Sequence, residues 1–181
     1  MDLSREKIDL ALPKVEAGLN KYLVIQNDYK NTLVSADREF QKRFNHFYRV
    51  RRGADWQEPF YQLLEEAKSH DYVFADVLER LSRATGRLEA SFSSKLLATV
   101  NPNKAVLDSI VLKNLGLKLP YSGAKNRQER IVDVFNQLDE RLNMLLATSV
   151  GEYLVEAFTA MYPQAQVTDL KKLDLVLWQT R

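Results

Sequence analysis

Apolar side chains recur at steps of three and four along almost the whole chain. No stretch alternates apolar and polar residues long enough to suggest a strand. The three-and-four spacing lays an apolar stripe along one side of a helix, whereas a strand needs a period of two. Phe40, Phe44, Phe47 and Tyr48 follow it, as do Ile131, Val134, Phe135, Leu138, Leu142 and Leu145. Helix breakers are scarce, with six glycines and five prolines among 181 residues. The expected fold is all-α: one globular multi-helix domain over residues 1–181, with eight or nine helices and neither repeat nor linker.

Local chemistry sets the expected limits of these helices. Pro13 suits the opening of a helix to about Ile25, with Val15, Leu19, Tyr22 and Leu23 on one face. Ser35, with Glu39 following, resembles a helix start. Gly53 breaks the chain, and Asp55 is then the expected cap of a helix through Lys68. A further helix from near Tyr72 stops at Gly86, a residue suited to the left-handed position after a helix. Residues 91–100 read as a short helix entered through serines and ended by Asn101-Pro102-Asn103. Asp108 is placed to cap the segment Ser109–Leu115, closed by Gly116. The longest helix is expected over roughly 126–147, followed by one over Gly151–Met161 and a last one capped by Thr168.

Composition excludes several kinds of chemistry. With 45% hydrophobic and 28% charged residues the chain can bury a core. It has no cysteine, so disulfides, cysteine–zinc sites, iron–sulfur clusters and a cysteine nucleophile are ruled out. His46 and His70 are the only histidines, and neither a metal nor an organic cofactor is expected. The N-terminal segment MDLSREKIDLALPKVEAG mixes acids and bases, unlike a signal peptide or a membrane span. A cytoplasmic protein is therefore expected. The spacings of a phosphate loop, a dinucleotide fingerprint, a serine–histidine–acid triad and a calcium loop are all missing.

The formal net charge is +2, but the charges are segregated. Residues 38–52 carry a net +5 and residues 80–130 a net +7, while residues 53–79 carry −6. Such segregation either gives a basic face for a polyanion or pairs opposite faces of neighbouring helices. Tyr48-Arg49-Val50-Arg51-Arg52-Gly53 joins aromatic and guanidinium groups that can stack on bases and hold phosphates. The same cations also stabilise a helix C-terminus without any ligand. Arg83 and Arg87, with Arg80, could continue the patch. Ser91, Ser93 and Ser94 sit at a helix N-terminus, where free backbone N–H groups attract an anion and where serine also serves as a cap. Asp174 and Trp178 are placed in the last helix, the former either paired with a nearby base or at the helix's polar edge, and the latter in the core.

Residues 91–116 resemble the core of the helix-hairpin-helix DNA glycosylase superfamily. Val106-Leu107-Asp108-Ser109-Ile110-Val111 matches the family's apolar-apolar-Asp-x-x-Val pattern. Phe92-Ser93-Ser94-Lys95-Leu96-Leu97 resembles the helix after the hairpin, which carries a lysine nucleophile in the lyase members. The resemblance implies a DNA-binding repair enzyme that flips a base and cleaves its N-glycosidic bond, with Asp108 and Lys95 as catalytic residues. Arg49, Arg51, Arg52, Ser93, Ser94, Arg83 and Arg87 would then contact nucleic acid. The family's hairpin glycines have no counterpart between Glu89 and Ser94, and Lys95 and Asp108 stand 13 positions apart, closer than in typical active members. A non-catalytic nucleic-acid-binding domain and a protein-binding helical scaffold are the alternatives.

Overall fold

The computed structural model describes residues 3–180, and all regular structure among them is helical. Ten α-helices follow one another: α1 (Arg5–Ala11), α2 (Glu16–Asn31), α3 (Arg38–Tyr48), α4 (Ala54–Glu66), α5 (Phe74–Thr85), α6 (Ala90–Val100), α7 (Ser109–Asn114), α8 (Arg127–Leu146), α9 (Ser149–Met161) and α10 (Asp169–Leu177). Single 3-10 turns occupy Leu12–Lys14 and Ala67–Ser69. None of the helices is long and apolar enough to cross a membrane.

These elements form two compact units. One combines the residues up to Leu19 with those from Pro102 onward, and the other is Asn20–Asn101. The chain passes from the first to the second inside α2 and returns at the end of α6. A crossing within a helix needs no glycine- or serine-rich linker, so the sequence carries no boundary signal.

In the first unit α8, α9 and α10 pack on one another, and α1 packs on α9 and α10. Ile8, Phe135, Leu138, Leu142, Leu154, Phe158, Leu173 and Val176 fill the space between them. In the second unit α4 packs on α5 and α5 on α6, around Phe40, Phe44, Phe60, Tyr61, Leu64, Val77, Leu78, Leu81 and Leu96. Burying each of these large side chains contributes roughly 1.5–3 kcal/mol before the entropy of ordering is subtracted.

Several helix limits follow the sequence expectation closely. Gly86 (φ 70°) and Gly116 (φ 65°) take the left-handed conformation that an L side chain resists. Asp108 caps α7 and Thr168 caps α10. Others differ for identifiable reasons. Pro13 lies in the 3-10 turn between two helices, and α1 begins earlier, where the Ser4 hydroxyl accepts from the Lys7 N–H. Asp37, not Ser35, starts α3, because its carboxylate accepts from both the Glu39 and Phe40 N–H groups at 2.9 and 3.0 Å. The Phe40 bond is the main reason its carboxyl stays charged to lower pH than usual. Gly53 takes the N-cap position expected of Asp55, which sits in the first turn of α4.

The α8–α9 corner depends on Gly151. A β-carbon there would run into the Leu145 carbonyl oxygen and lie 2.6 Å from Leu146 Cα and O, all backbone atoms that cannot swing aside. Gly18, in the first turn of α2, is a different case: a β-carbon would meet only the Leu175 side chain at 3.9 Å. Thermal or urea unfolding should separate the two. Gly151→Ala is expected to cost about 1–3 kcal/mol, and Gly18→Ala to gain about 0.5–1 kcal/mol. Equal effects of the two substitutions would contradict this packing.

Candidate functional site

In the second unit, a buried hydrogen-bond chain fixes the loop after α3. The Tyr61 hydroxyl donates to Asn45 Oδ1 at 2.6 Å and approaches the Gln41 carbonyl at 3.2 Å. Asn45 Nδ2 donates to Gln57 Oε1 at 2.8 Å, and Gln57 Nε2 in turn donates to the Arg52 carbonyl. The Asn45 carbonyl takes the N–H groups of Arg49 and Val50. One asparagine thus joins the end of α3, the loop and α4. Arg49 ends α3 with φ 53°, a conformation that costs a non-glycine residue roughly 1–2 kcal/mol.

This loop delivers Arg52 to the start of α6. The Arg52 guanidinium lies 2.8 Å from Glu89 Oε1, with the arginine side chain 34% exposed and the glutamate nearly enclosed. Its other neighbour is the Phe92 ring, 5.9 Å away. Lys95 Nζ faces the same ring at 4.9 Å, lies 6.0 Å from the Tyr48 ring, and donates to the Ser91 hydroxyl at 3.0 Å. Trp56 packs against Phe92 at 4.9 Å and stacks on Phe60 at 5.0 Å. Two cations therefore address one half-buried aromatic ring, an arrangement in which each gains from the ring's negative π face.

Polar groups are left over at this place. No side chain caps α6, so its first-turn N–H groups keep the partial positive charge of a helix start. The buried Trp56 Nε1, Arg52 Nε and Ser93 Oγ have no hydrogen-bond partner among the described residues. A buried donor without a partner costs about 1–3 kcal/mol, so three in one neighbourhood call for a reason. Around them stand the aromatic rings, Lys95 and an Arg52 whose charge is met by the nearly enclosed Glu89 carboxylate, so Lys95 is the cation to receive an anion.

The expected site residues divide between the units. Arg52, Ser93, Ser94 and Lys95 gather around the start of α6, with Arg49 and Arg51 exposed on the loop that leads to it. Ser93 and Ser94 are themselves fully enclosed, and Ser94 Oγ donates to the Ser91 carbonyl at 2.9 Å, so a ligand could reach these hydroxyls only after local opening. Arg83 pairs with Glu79 at 2.5 Å, and Arg80 pairs with Glu66 at 3.0 Å beneath the Tyr72 ring. Arg87 is exposed but lies beyond the α5 end at Gly86, so the three arginines do not share one continuous helical face. Sequence reasoning missed Trp56 and the Arg52–Glu89 pair. Their separation along the chain left no local signal.

Asp108 belongs to the first unit. Its Oδ1 accepts from Ile110 N at 2.9 Å and Val111 N at 3.3 Å, which leaves Oδ2 for a further partner. The half-buried carboxylate follows Ala105, Val106 and Leu107, all buried. Asp139 of α8 holds that segment by accepting from Ala105 N at 3.0 Å and pairing with Lys104 at 3.2 Å. In α10, Asp174 takes the largely buried Lys171 at 2.6 Å, and Trp178 is half-buried. Among the described residues, no three histidine, aspartate or glutamate side chains gather to hold a metal.

Burial raises the Tyr61 hydroxyl well above the ordinary tyrosine range, and burial together with the Glu65 charge pushes Tyr29 up to about 12. The fold therefore favours both neutral phenols. That contribution is complete below about pH 10 and declines as pH rises through the folded values. Phenolate absorbance should show both groups still protonated near pH 11 in the folded protein. Tyr61→Phe should cost about 1–3 kcal/mol, because Asn45 loses its buried donor. An unchanged unfolding midpoint would show that the chain from Tyr61 to Arg52 carries no stability.

Compared with known proteins, the chain matches no family model, no curated protein and no solved structure.

Proposed function

We propose that the chain binds nucleic acid through the loop after α3 and the start of α6. The observation that carries this reading is the Phe92 ring, half-buried and faced by both Arg52 and Lys95 at a helix N-terminus without a side-chain cap. Stacking of a base on an aromatic ring, with cations holding the adjoining phosphates, is how single-stranded nucleic acid is commonly gripped. Arg49 supports it by position: it ends α3 at φ 53° with its side chain exposed, on the loop that leads to Arg52. The two exposed arginines, Arg49 and Arg51, supply the electrostatic part of the contact.

Fluorescence anisotropy of a labelled oligonucleotide across a salt series tests this. Affinity should fall steeply between 50 and 200 mM salt, with a log–log slope that drops by about 0.7–0.9 for each phosphate contact removed. Arg49→Gly should weaken binding without lowering the unfolding midpoint, and Arg51→Ala should reduce the slope. Absence of binding at 50 mM salt, or unchanged binding by both variants, would remove the proposal.

A second reading follows from the resemblance of residues 91–116 to helix-hairpin-helix DNA glycosylases. The residue that would carry it is Asp108, half-buried at the start of α7, whose Oδ1 accepts both capping bonds, from Ile110 and Val111. In this reading the carboxylate stabilises positive charge on the sugar as a flipped base departs, and Lys95 is a nucleophile to be tested separately. Duplexes carrying oxidised, alkylated or deaminated bases would be incubated with the protein and with Asp108→Asn. Base release lost in the variant fits the reading, whereas release that persists unchanged refutes it. Borohydride trapping of a covalent adduct, lost in Lys95→Gln, reports on the lysine.

A further inference from the structure

Between α2 and α3 lies a groove of about 430 Å³, lined by Asn20, Lys21, Val24 and Ile25 from one helix and Lys42, Arg43 and His46 from the other. All of these residues lie in the second unit. The spacing explains the lining: positions 20, 21, 24 and 25 share one face of α2, and positions 42, 43 and 46 share one face of α3. Val24 is 46% exposed there although Ile25 beside it is buried. The walls are the aliphatic stems of lysine and arginine, which lie along apolar surface while their charged ends reach water. The groove thus has an apolar floor and a cationic rim.

The rim charges are not equivalent. Arg43 reaches Asp28 at 2.7 Å and Lys42 reaches Glu39 at 2.7 Å, so each is already balanced. Lys21 has no ion-pair partner among the described residues, and His46 stands on the opposite wall. An occupant that complements the groove therefore carries an anion near Lys21 and an aliphatic body over Val24 and Ile25. The volume falls within the range of small-ligand sites, roughly 300–1,000 Å³. Docking of an amphipathic helix needs several apolar anchor points at one-turn intervals, and among the lining residues the exposed apolar side chain is Val24 alone.

We propose that this groove binds a free, medium-length aliphatic carboxylate, with Lys21 as the partner of its head group. The proposal does not rest on nucleic-acid binding, since Arg49, Arg51, Arg52 and Lys95 take no part in it. Decanoate titrated below its micelle concentration into the isotopically labelled 181-residue chain is the test. Saturable shifts of the Val24 and Ile25 methyl signals are expected, at least tenfold weaker with decanol or with decyltrimethylammonium. Lys21→Glu should weaken decanoate binding at least tenfold, and Val24→Asp should abolish it. Both positions are exposed, so the unfolding midpoints should stay within a few degrees of the parent. Equal binding of decanol, shifts confined to residues elsewhere, or co-sedimentation with anionic phospholipid vesicles without decanoate binding would each overturn the proposal.

Discussion

The aromatic packing of the second unit governs where its cations can stand. Phe40, Phe44, Phe60 and Tyr61 form a chain of ring contacts with centroids 5.2–6.1 Å apart, and Trp56 extends it from Phe60 to Phe92. Rings of this size bury large apolar areas, and tilted or edge-on pairs add about 0.5–1.5 kcal/mol each. Because Phe92 is held by Trp56, the guanidinium of Arg52 and the amine of Lys95 find a fixed surface between them. The hydrogen-bond chain through Asn45 and Gln57 then sets the path of the loop that carries Arg52.

What the sequence revealed depends on the range of the forces involved. The three-and-four periodicity reports which side of a helix is buried, so the all-helical fold was legible. Gly86, Asp108 and Thr168 were legible because a cap acts within one turn of its helix. The start of α3 was misread by two residues, since Ser35 and Asp37 offer similar chemistry and only the backbone path decides between them. Gly151 was read as a helix start. The close approach of the Leu145 and Leu146 backbone, which excludes any side chain there, has no signature in the sequence. Likewise, Arg52 and Glu89 are 37 positions apart, and nothing local predicts that one will neutralise the other.

The candidate site was legible in part, for the same reason. Lys95, Ser93, Ser94 and Arg52 were each picked out by residue type and position near a helix end, and the second unit does assemble them. Sequence could not separate an enclosed serine from one open to a ligand, because that depends on what packs above it. Asp108 shows the difficulty in its sharpest form. One oxygen performs the capping that any aspartate would perform, and only the second can distinguish a structural residue from a catalytic one.

The most direct measurement uses Trp56, whose indole packs on Phe92 and leaves its N–H unpaired. The chain has two tryptophans, so a Trp178→Phe variant isolates the emission of Trp56. Titration with a short single-stranded oligonucleotide at 50 mM salt should quench that emission saturably, and 200 mM salt should reverse most of the effect. An oligonucleotide that binds without altering Trp56 emission, or that does not bind, would contradict a nucleic-acid contact at the start of α6.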